Sequence, residues 1–208
     1  MTIRVGINGF GRIGRSVFRI LADRPEVEVV CINDLFENEH LAYLLEYDSV
    51  MGPFGRKVTF DDETMVVDGR SSRMTAERDP AEIPWGELGV DVVIEATGVF
   101  RSREKLERHL AGGAKKVILT VPPKDEVDRM IVMGVNEAQL EAGDRIVSNA
   151  SCTTNCLAPI ARILDEAEQP PVMPLADDRR IVRRAQDVRV AGIHHLARRG
   201  DELARLPR

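Results

Sequence analysis

Aromatic residues and cysteines are scarce in this 208-residue chain: aromatics make up 4% of it, with a single tryptophan, and there are three cysteines. Three is an odd number, and Cys31, Cys152 and Cys156 lack the spacing of a disulfide framework, which indicates free thiols in a reducing compartment. No apolar run approaches the roughly 18 residues of a membrane-spanning helix. The first ten residues, MTIRVGINGF, lack the apolar core and cleavage site of a secretory signal. We therefore expect a cytoplasmic protein that does not bind membranes.

An excess of basic charge is also lacking, because the formal net charge is −5, and this argues against a dedicated nucleic-acid binder. The charge is uneven along the chain. Residues 1–168 carry 20 Lys and Arg against 29 Asp and Glu, whereas residues 169–208 carry nine Arg against five acids and have no Lys or aromatic residue. The composition changes near Glu168. We divide the chain into residues 1–150, residues 151–168 and an Arg- and Pro-rich tail, 169–208.

Short apolar runs alternate with helical patterns through the first 168 residues. Strand–helix alternation of this kind predicts an α/β fold with a doubly wound, mostly parallel sheet. A small β-meander is predicted between residues 57 and 75, around Asp68-Gly69. The predicted strands are 3–8, 27–33, 90–96, 117–121, 130–134 and 146–148, and the predicted helices are 11–22, 39–47, 103–110 and 152–167.

A glycine-rich loop follows the first predicted strand and opens the first predicted helix. Its sequence, GFGRIG, matches the pattern G-x-G-x-x-G in the context that dinucleotide binding requires. In that function Gly9 permits the tight turn, Gly11 lets the backbone approach a pyrophosphate, and Gly14 lets the helix pack close to the strand. An ordinary turn is the alternative interpretation.

An acid stands where such a loop needs one. Asp34 follows the second predicted strand, 20 residues after Gly14, where a carboxylate accepts the adenosine ribose hydroxyls and repels a 2′-phosphate. The amides of Arg12 and Ile13 would point at the phosphates from a helix N-terminus. We therefore expect NAD rather than NADP; a solvated loop acid is the alternative interpretation of Asp34.

A cysteine is predicted at the start of the last helix. Residues 149–151 form a plausible cap, and the free amides of a helix N-terminus stabilise a thiolate, so Cys152 is a candidate nucleophile. Cys156, one turn further on, is expected to be buried and inert. A metal site is not expected, since no His or acid lies at ligand spacing from this pair. A buried small residue is the alternative interpretation of Cys152.

Four segments resemble phosphorylating glyceraldehyde-3-phosphate dehydrogenase. They are GINGFGRIGR (6–15), IND (32–34), ATGVF (96–100) and SNASCTTNCLAP (148–159). The resemblance covers residues 3–167 and implies a Rossmann-type NAD-binding domain followed by the first helix of a catalytic domain. The cysteine segment is the most specific of the four, although it is also similar to that of erythrose-4-phosphate dehydrogenases.

The resemblance implies a mechanism in which the Cys152 thiolate attacks the aldehyde, hydride passes to NAD, and inorganic phosphate splits the thioester. The implied substrates are glyceraldehyde 3-phosphate and inorganic phosphate. Ser151 and Thr153 match positions that contact a phosphate beside the cysteine. The implied dinucleotide-binding residues are Gly9, Gly11, Arg12, Ile13, Gly14, Asn33, Asp34, Arg78, Thr97, Gly98 and Thr120.

The resemblance stops after the cysteine helix. The family carries its catalytic histidine downstream in a VHAYT-like strand, whereas this chain reads ADDRRIVRRAQ there. His194 and His195 lie in GIHHLARR, which does not match, so neither receives that role. The segments that join the family's tetramers are also unmatched, which makes a tetramer doubtful. The tail is either an out-of-frame translation of GC-rich coding sequence or a genuine replacement.

Three functions remain open from the sequence. The first is an NAD-dependent enzyme chain of the glyceraldehyde-3-phosphate dehydrogenase type with weak or no turnover alone, since a missing general base costs a factor of roughly 10² to 10⁴. The second is a non-catalytic NAD-binding or interaction module that uses the basic tail. The third is a dehydrogenase similar to the erythrose-4-phosphate enzymes, completed by another chain.

Overall fold

The structure, a computed structural model, describes residues 2–168, with side chains through residue 166. The Arg- and Pro-rich tail, residues 169–208, which contains His194 and His195, lies outside the described residues. The strands are β1 (Ile3–Asn8), β2 (Val27–Asn33), β3 (Val58–Phe60), β4 (Thr64–Val67), β5 (Arg70–Thr75), β6 (Val92–Glu95), β7 (Lys116–Leu119), β8 (Arg129–Met130) and β9 (Ile146–Ser148). The helices are α1 (Arg12–Ala22), α2 (Asn38–Glu46), α3 (Arg103–Ala111) and α4 (Cys152–Glu168), with a 3-10 turn at Glu137–Gln139.

The nine strands form one sheet in the order β3-β4-β5-β2-β1-β6-β7-β9-β8. Every neighbouring pair from β5 to β8 is parallel, and only the β3–β4 and β4–β5 pairs of the meander are antiparallel. The order reverses at β1, because β2 and β5 lie on one side of it and β6, β7 and β9 on the other. This confirms the predicted doubly wound Rossmann-type fold. Ligands of such sheets bind outside the carboxyl ends of the strands at the reversal, here between β1 and β6.

Apolar side chains from helices and loops cover the sheet in three clusters. Phe18 of α1 packs edge to face on Phe10, with ring centroids 5.6 Å apart, in the largest cluster. Trp85 fills the second cluster with Cys31, and Leu106 of α3 fills the third. The buried faces of α1 and α3 thus carry Phe18 and Leu106, respectively. No helix among residues 2–168 is both long and apolar enough to cross a membrane.

The predicted strand over residues 130–134 is wrong in its extent, because β8 contains only Arg129 and Met130. Asn136 explains the early end: its Oδ1 accepts the Val132 N–H (2.8 Å) and its Nδ2 donates to the Met130 carbonyl (3.0 Å). A side chain thus takes the hydrogen bonds that a longer ladder would need. Burial of Ile131 and Val132 accounts for the apolar pattern that suggested a strand.

Candidate functional site

The three glycines of the loop after β1 have three different environments. Gly9 has a φ of +91°, and a Cβ there would lie 2.7 Å from the backbone nitrogen of Thr97. A Cβ on Gly14 would overlap the carbonyl oxygen of Gly9, whereas a Cβ on Gly11 would meet no atom within 4 Å. The first and third glycines therefore permit close packing inside the protein, and the second leaves open space in front of the backbone.

The N-terminus of α1 faces that open space. Gly11 is the N-cap residue in an extended conformation, and it provides no side-chain cap, so the first-turn amides remain available to a ligand. Arg12 and Ile13, the first two residues of the helix, are exposed. Unpaired amides at a helix N-terminus attract an anionic group such as a pyrophosphate.

Asp34 lies directly after β2, beside the glycine loop. Its Oδ2 accepts the Phe10 N–H (2.7 Å) and its Oδ1 accepts the Phe36 N–H (3.1 Å). Each carboxylate oxygen has two lone pairs, so both retain capacity for a ribose hydroxyl. The position and remaining acceptors of Asp34 fit the role predicted for it.

Asn33, another of the predicted dinucleotide-binding residues, forms its side-chain hydrogen bonds within the protein. Its side chain is buried, and its Oδ1 accepts the Thr75 hydroxyl and the Glu77 N–H, both at 2.8 Å. Its Nδ2 donates to Asn8 Oδ1 (2.8 Å) and to the Glu77 carbonyl (2.9 Å). The amide is saturated within the protein, so Asn33 can influence a ligand only by holding the segment that carries the exposed Arg78.

The remaining predicted cofactor residues follow the carboxyl ends of β6 and β7. Thr97 lies two residues after β6, and Gly98 next to it is exposed with a φ of +73°. Thr120 follows β7 and donates its hydroxyl to the Glu95 carbonyl (3.0 Å). These residues lie at the same edge of the sheet as the glycine loop, because β1, β6 and β7 are parallel neighbours.

A fully buried carboxylate at this edge was not predicted from the sequence. Glu95, the last residue of β6, is 0% exposed and bonds to Asn8 of β1 and His109 of α3. One local signal could have identified Glu95: it is an acid at the end of an otherwise apolar strand, VVIE, immediately before the Ala96-Thr97-Gly98 loop. The histidine gave no such signal within its polar helix.

Cys152 begins α4, just beyond the carboxyl end of β9, and is exposed. Ser151 caps the helix, because its Oγ accepts the Thr154 N–H (2.9 Å). The turn before the cap is tight: Ala150 has a φ of +63° and is buried, and Asn155 Nδ2 donates to the Asn149 carbonyl (2.7 Å). The cap and this turn together fix the direction in which α4 leaves the sheet.

The prediction that Cys156 is buried is wrong. The structure places Cys156 on the exposed surface of α4, as it does Cys152 and Thr153. Most of this helix is exposed, because no other described element covers it. The exposed surface includes four large apolar side chains, those of Leu157, Ile160, Ile163 and Leu164. Only Cys31 is buried among the described thiols, and burial raises its pKa to about 11.

Other parts of the described structure offer less chemistry. No group of three or more His, Cys, Asp or Glu side chains within residues 2–168 could hold a metal ion. Two surface grooves, of about 490 and 590 Å³, contain none of the predicted site residues. Charged side chains such as Arg4, Glu28 and Arg73 line the first groove, and Arg19 and Arg56 line the second.

A comparison with known families supports a nucleotide-binding domain. Residues 3–103 match the family described as glyceraldehyde 3-phosphate dehydrogenase, NAD binding domain. This match confirms the predicted NAD-binding domain, and its description names the predicted cofactor, NAD. The residues assigned to cofactor binding remain predictions.

Curated relatives extend the similarity through α4. Glyceraldehyde-3-phosphate dehydrogenase of Streptomyces coelicolor is 53% identical over 168 residues, 80% of this chain and 50% of the relative. The enzyme of Salmonella typhimurium is 54% identical over 166 residues, which cover 80% of this chain and 50% of the relative. That of Thermotoga maritima is 55% identical over 165 residues, which cover 78% of this chain and 49% of the relative. The predicted resemblance to this dehydrogenase is confirmed. The chain spans about half the length of the curated relatives it matches.

Proposed function

We propose, from the premise that residues 3–103 belong to the family of glyceraldehyde-3-phosphate dehydrogenase NAD-binding domains, that this chain binds NAD between the carboxyl ends of β1 and β6. The observation that carries the proposal is the open space at Gly11 between the closely packed Gly9 and Gly14. A pyrophosphate in that space would meet the free amides of α1. Thr97 and Gly98 border the same crevice from the end of β6.

Asp34 supports NAD over NADP. Its oxygens lie beside the glycine loop and accept only one backbone N–H each, which leaves room for the two ribose hydroxyls. A 2′-phosphate at the same position would place like charges within a few ångströms of each other, and such pairs destabilise binding. Arg78, at the end of the segment held by Asn33, would border the adenosine.

Calorimetric titration tests the cofactor proposal. We expect wild type to bind NAD more tightly than NADP, and Asp34→Asn to bind NAD about tenfold more weakly because a hydrogen bond to a charged acceptor is lost. Asp61→Asn is the matched control, since Asp61 accepts backbone N–H groups in the β3–β4 turn, away from the crevice. Absence of NAD binding at millimolar concentration would contradict the proposal.

We further propose that Cys152 performs aldehyde oxidation of the type that the relatives' names describe. The thiolate sulfur would attack the aldehyde carbon to give a hemithioacetal, whose carbon then gives up a hydride and whose hydroxyl gives up a proton, leaving a thioester. NAD supplies the hydride acceptor. Inorganic phosphate would then displace the thiolate to form an acyl phosphate. Ser151 and Thr153 stand on either side of Cys152, where a phosphate could bind. Free thiols on this helix fit a reducing compartment such as the cytoplasm.

NADH formation from NAD, glyceraldehyde 3-phosphate and inorganic phosphate tests the thiol chemistry. We expect a slow signal that Cys152→Ser abolishes, because the family's histidine-bearing segment has no counterpart in this sequence. Cys156→Ser is the matched control: both thiols are exposed on α4, one turn apart. If wild type, Cys152→Ser and Cys156→Ser all bind NAD but none forms NADH, the chain is a non-catalytic NAD-binding module instead.

A further inference from the structure

A buried carboxylate lies beneath the crevice between β1 and β6. Glu95 is 0% exposed, and four donors reach its two oxygens. Oε2 accepts Asn8 Nδ2 (2.6 Å) and His109 Nε2 (2.9 Å), and Oε1 accepts the Thr97 N–H (2.9 Å) and the Thr97 hydroxyl. An ionised carboxylate offers about four acceptor sites and no donor, so these four donors match it without any cation.

The orientation of the His109 ring is fixed by the single tryptophan of the chain. Trp85 Nε1 donates to His109 Nδ1 at 3.2 Å, and both side chains are fully buried. An indole nitrogen can only donate, so Nδ1 must be the acceptor and the proton of the neutral ring is on Nε2. That nitrogen is the one that faces Glu95. The relay Trp85–His109–Glu95 therefore has one consistent direction of donation.

The same carboxylate fixes the two backbone segments that border the crevice. Asn8 immediately precedes Gly9, and Thr97 immediately precedes Gly98. The two segments are in close contact, because a Cβ on Gly9 would lie 2.7 Å from the Thr97 nitrogen. Since Glu95 bonds to both Asn8 and Thr97, its position determines how far the glycine loop stands from the Thr97–Gly98 loop.

We propose that Glu95 is a positioning residue for the dinucleotide and that His109 and Trp85 hold it in place. This inference rests on the proposed NAD site. The carboxylate does not touch the ligand; it sets in advance the spacing of the loops that the ligand bridges. A site whose donors are already oriented loses less free energy in ordering when the ligand binds.

Replacement of the carboxylate by an amide of the same shape is the direct test. In Glu95→Gln one oxygen becomes an NH₂ group, which faces donors instead of accepting from them. We expect the NAD dissociation constant to rise about tenfold or more. A purely structural role would lower stability and leave the NAD affinity of the folded protein unchanged, so both quantities are measured in the same samples.

Asp128→Asn provides the matched control. Asp128 also accepts two backbone N–H groups, from Arg145 (2.7 Å) and Ile146 (2.9 Å), and pairs with Arg103, but it lies at the amino end of β9, the edge opposite the crevice. We expect this variant to lose stability while its NAD affinity stays at the wild-type value. If both variants lose affinity in proportion to stability, the positioning role is overturned.

A pair of variants at His109 keeps the test decisive if Glu95→Gln fails to fold. His109→Gln retains a donor toward Glu95 and an acceptor toward Trp85, so we expect near-wild-type NAD affinity. His109→Leu removes both, so we expect the affinity to fall several-fold. Equal affinity in the two variants would overturn the inference.

The indole N–H resonance of Trp85 supplies an independent spectroscopic readout, since no other tryptophan contributes. We expect saturating NAD to shift this resonance in wild type, because Thr97, Glu95 and His109 connect the crevice to the indole. In His109→Leu this connection is broken, so we expect NAD to leave the resonance unshifted. A resonance that NAD leaves unshifted in wild type contradicts the inference. Failure of wild type to bind NAD at all would instead refute the proposed function.

Discussion

The indole ring of Trp85 occupies the space that a side chain on Gly6 would need. A Cβ built on Gly6 would overlap the six-membered part of that ring, and Trp85 is 0% exposed. Gly6 lies in β1, the central strand at which the sheet order reverses, whereas Trp85 lies in the segment before β6. Because Gly6 has no side chain, the segment that carries Trp85 lies directly on the central strand. In this position Trp85 is within hydrogen-bonding distance of His109.

Gly6→Ala is expected to destabilise the fold. The added methyl group must displace a fully buried ring, and overpacking of this kind costs about 1–3 kcal/mol. The free energy of unfolding from urea titration measures the cost. Gly143→Ala serves as the control, since a Cβ there would meet no atom within 4 Å and its backbone is not in the left-handed region. Equal unfolding midpoints for the two variants would show that Trp85 can move without cost.

The central strands could be predicted from the sequence, whereas an edge strand could not. β1 and β2 begin and end where the apolar runs 3–8 and 27–33 begin and end, because both strands are buried in the middle of a parallel sheet. The edge strand β8 is shorter than its apolar run, because Asn136 takes its backbone hydrogen bonds. A side chain six residues away leaves no trace in the periodicity.

The site could be predicted only where one local motif carries it. The glycine spacing and Asp34 are local signals, and the structure places both beside the same crevice. Burial of Cys156 was predicted wrongly because helix position alone does not say what covers a helix face. The Glu95–His109–Trp85 relay joins three segments separated by 10 to 24 positions, so no local pattern could predict it.

Gly11→Ala is expected to weaken NAD binding without a comparable loss of stability. A Cβ there meets no protein atom within 4 Å, so the unfolding free energy should change by no more than about 0.5 kcal/mol. The methyl group would occupy the space that the proposed pyrophosphate needs. Calorimetric titration with NAD and urea unfolding of the same samples measure the two effects. Gly14→Ala is the contrasting variant. Its Cβ would overlap the Gly9 carbonyl oxygen, so both the NAD affinity and the free energy of unfolding should decrease. Unchanged NAD affinity in Gly11→Ala would place the ligand elsewhere.

Thiol reagents should distinguish the three cysteines by exposure. Cys152 and Cys156 are exposed on α4, and Cys31 is fully buried in the Trp85 cluster. We expect two thiols per chain to react with a water-soluble disulfide reagent in the native protein and the third to react only after unfolding. Each of Cys152→Ser and Cys156→Ser should remove one of the two accessible thiols. Rapid reaction of all three in the native state would contradict the buried position of Cys31.

The stability of the fold should decrease between pH 9 and pH 11 through Cys31. Burial raises the pKa of this thiol from an ordinary value of 9.0 to about 11, so the folded protein retains a proton that the unfolded chain loses in this range. Below pH 9 both states are protonated and the thiol does not change stability with pH; above it, stability falls by up to about 2–3 kcal/mol. Cys31→Ala removes this contribution, while other groups titrate alike in both proteins. Urea unfolding at several pH values should therefore give a steeper loss in wild type than in Cys31→Ala, and parallel curves would show that Cys31 is not shielded from water.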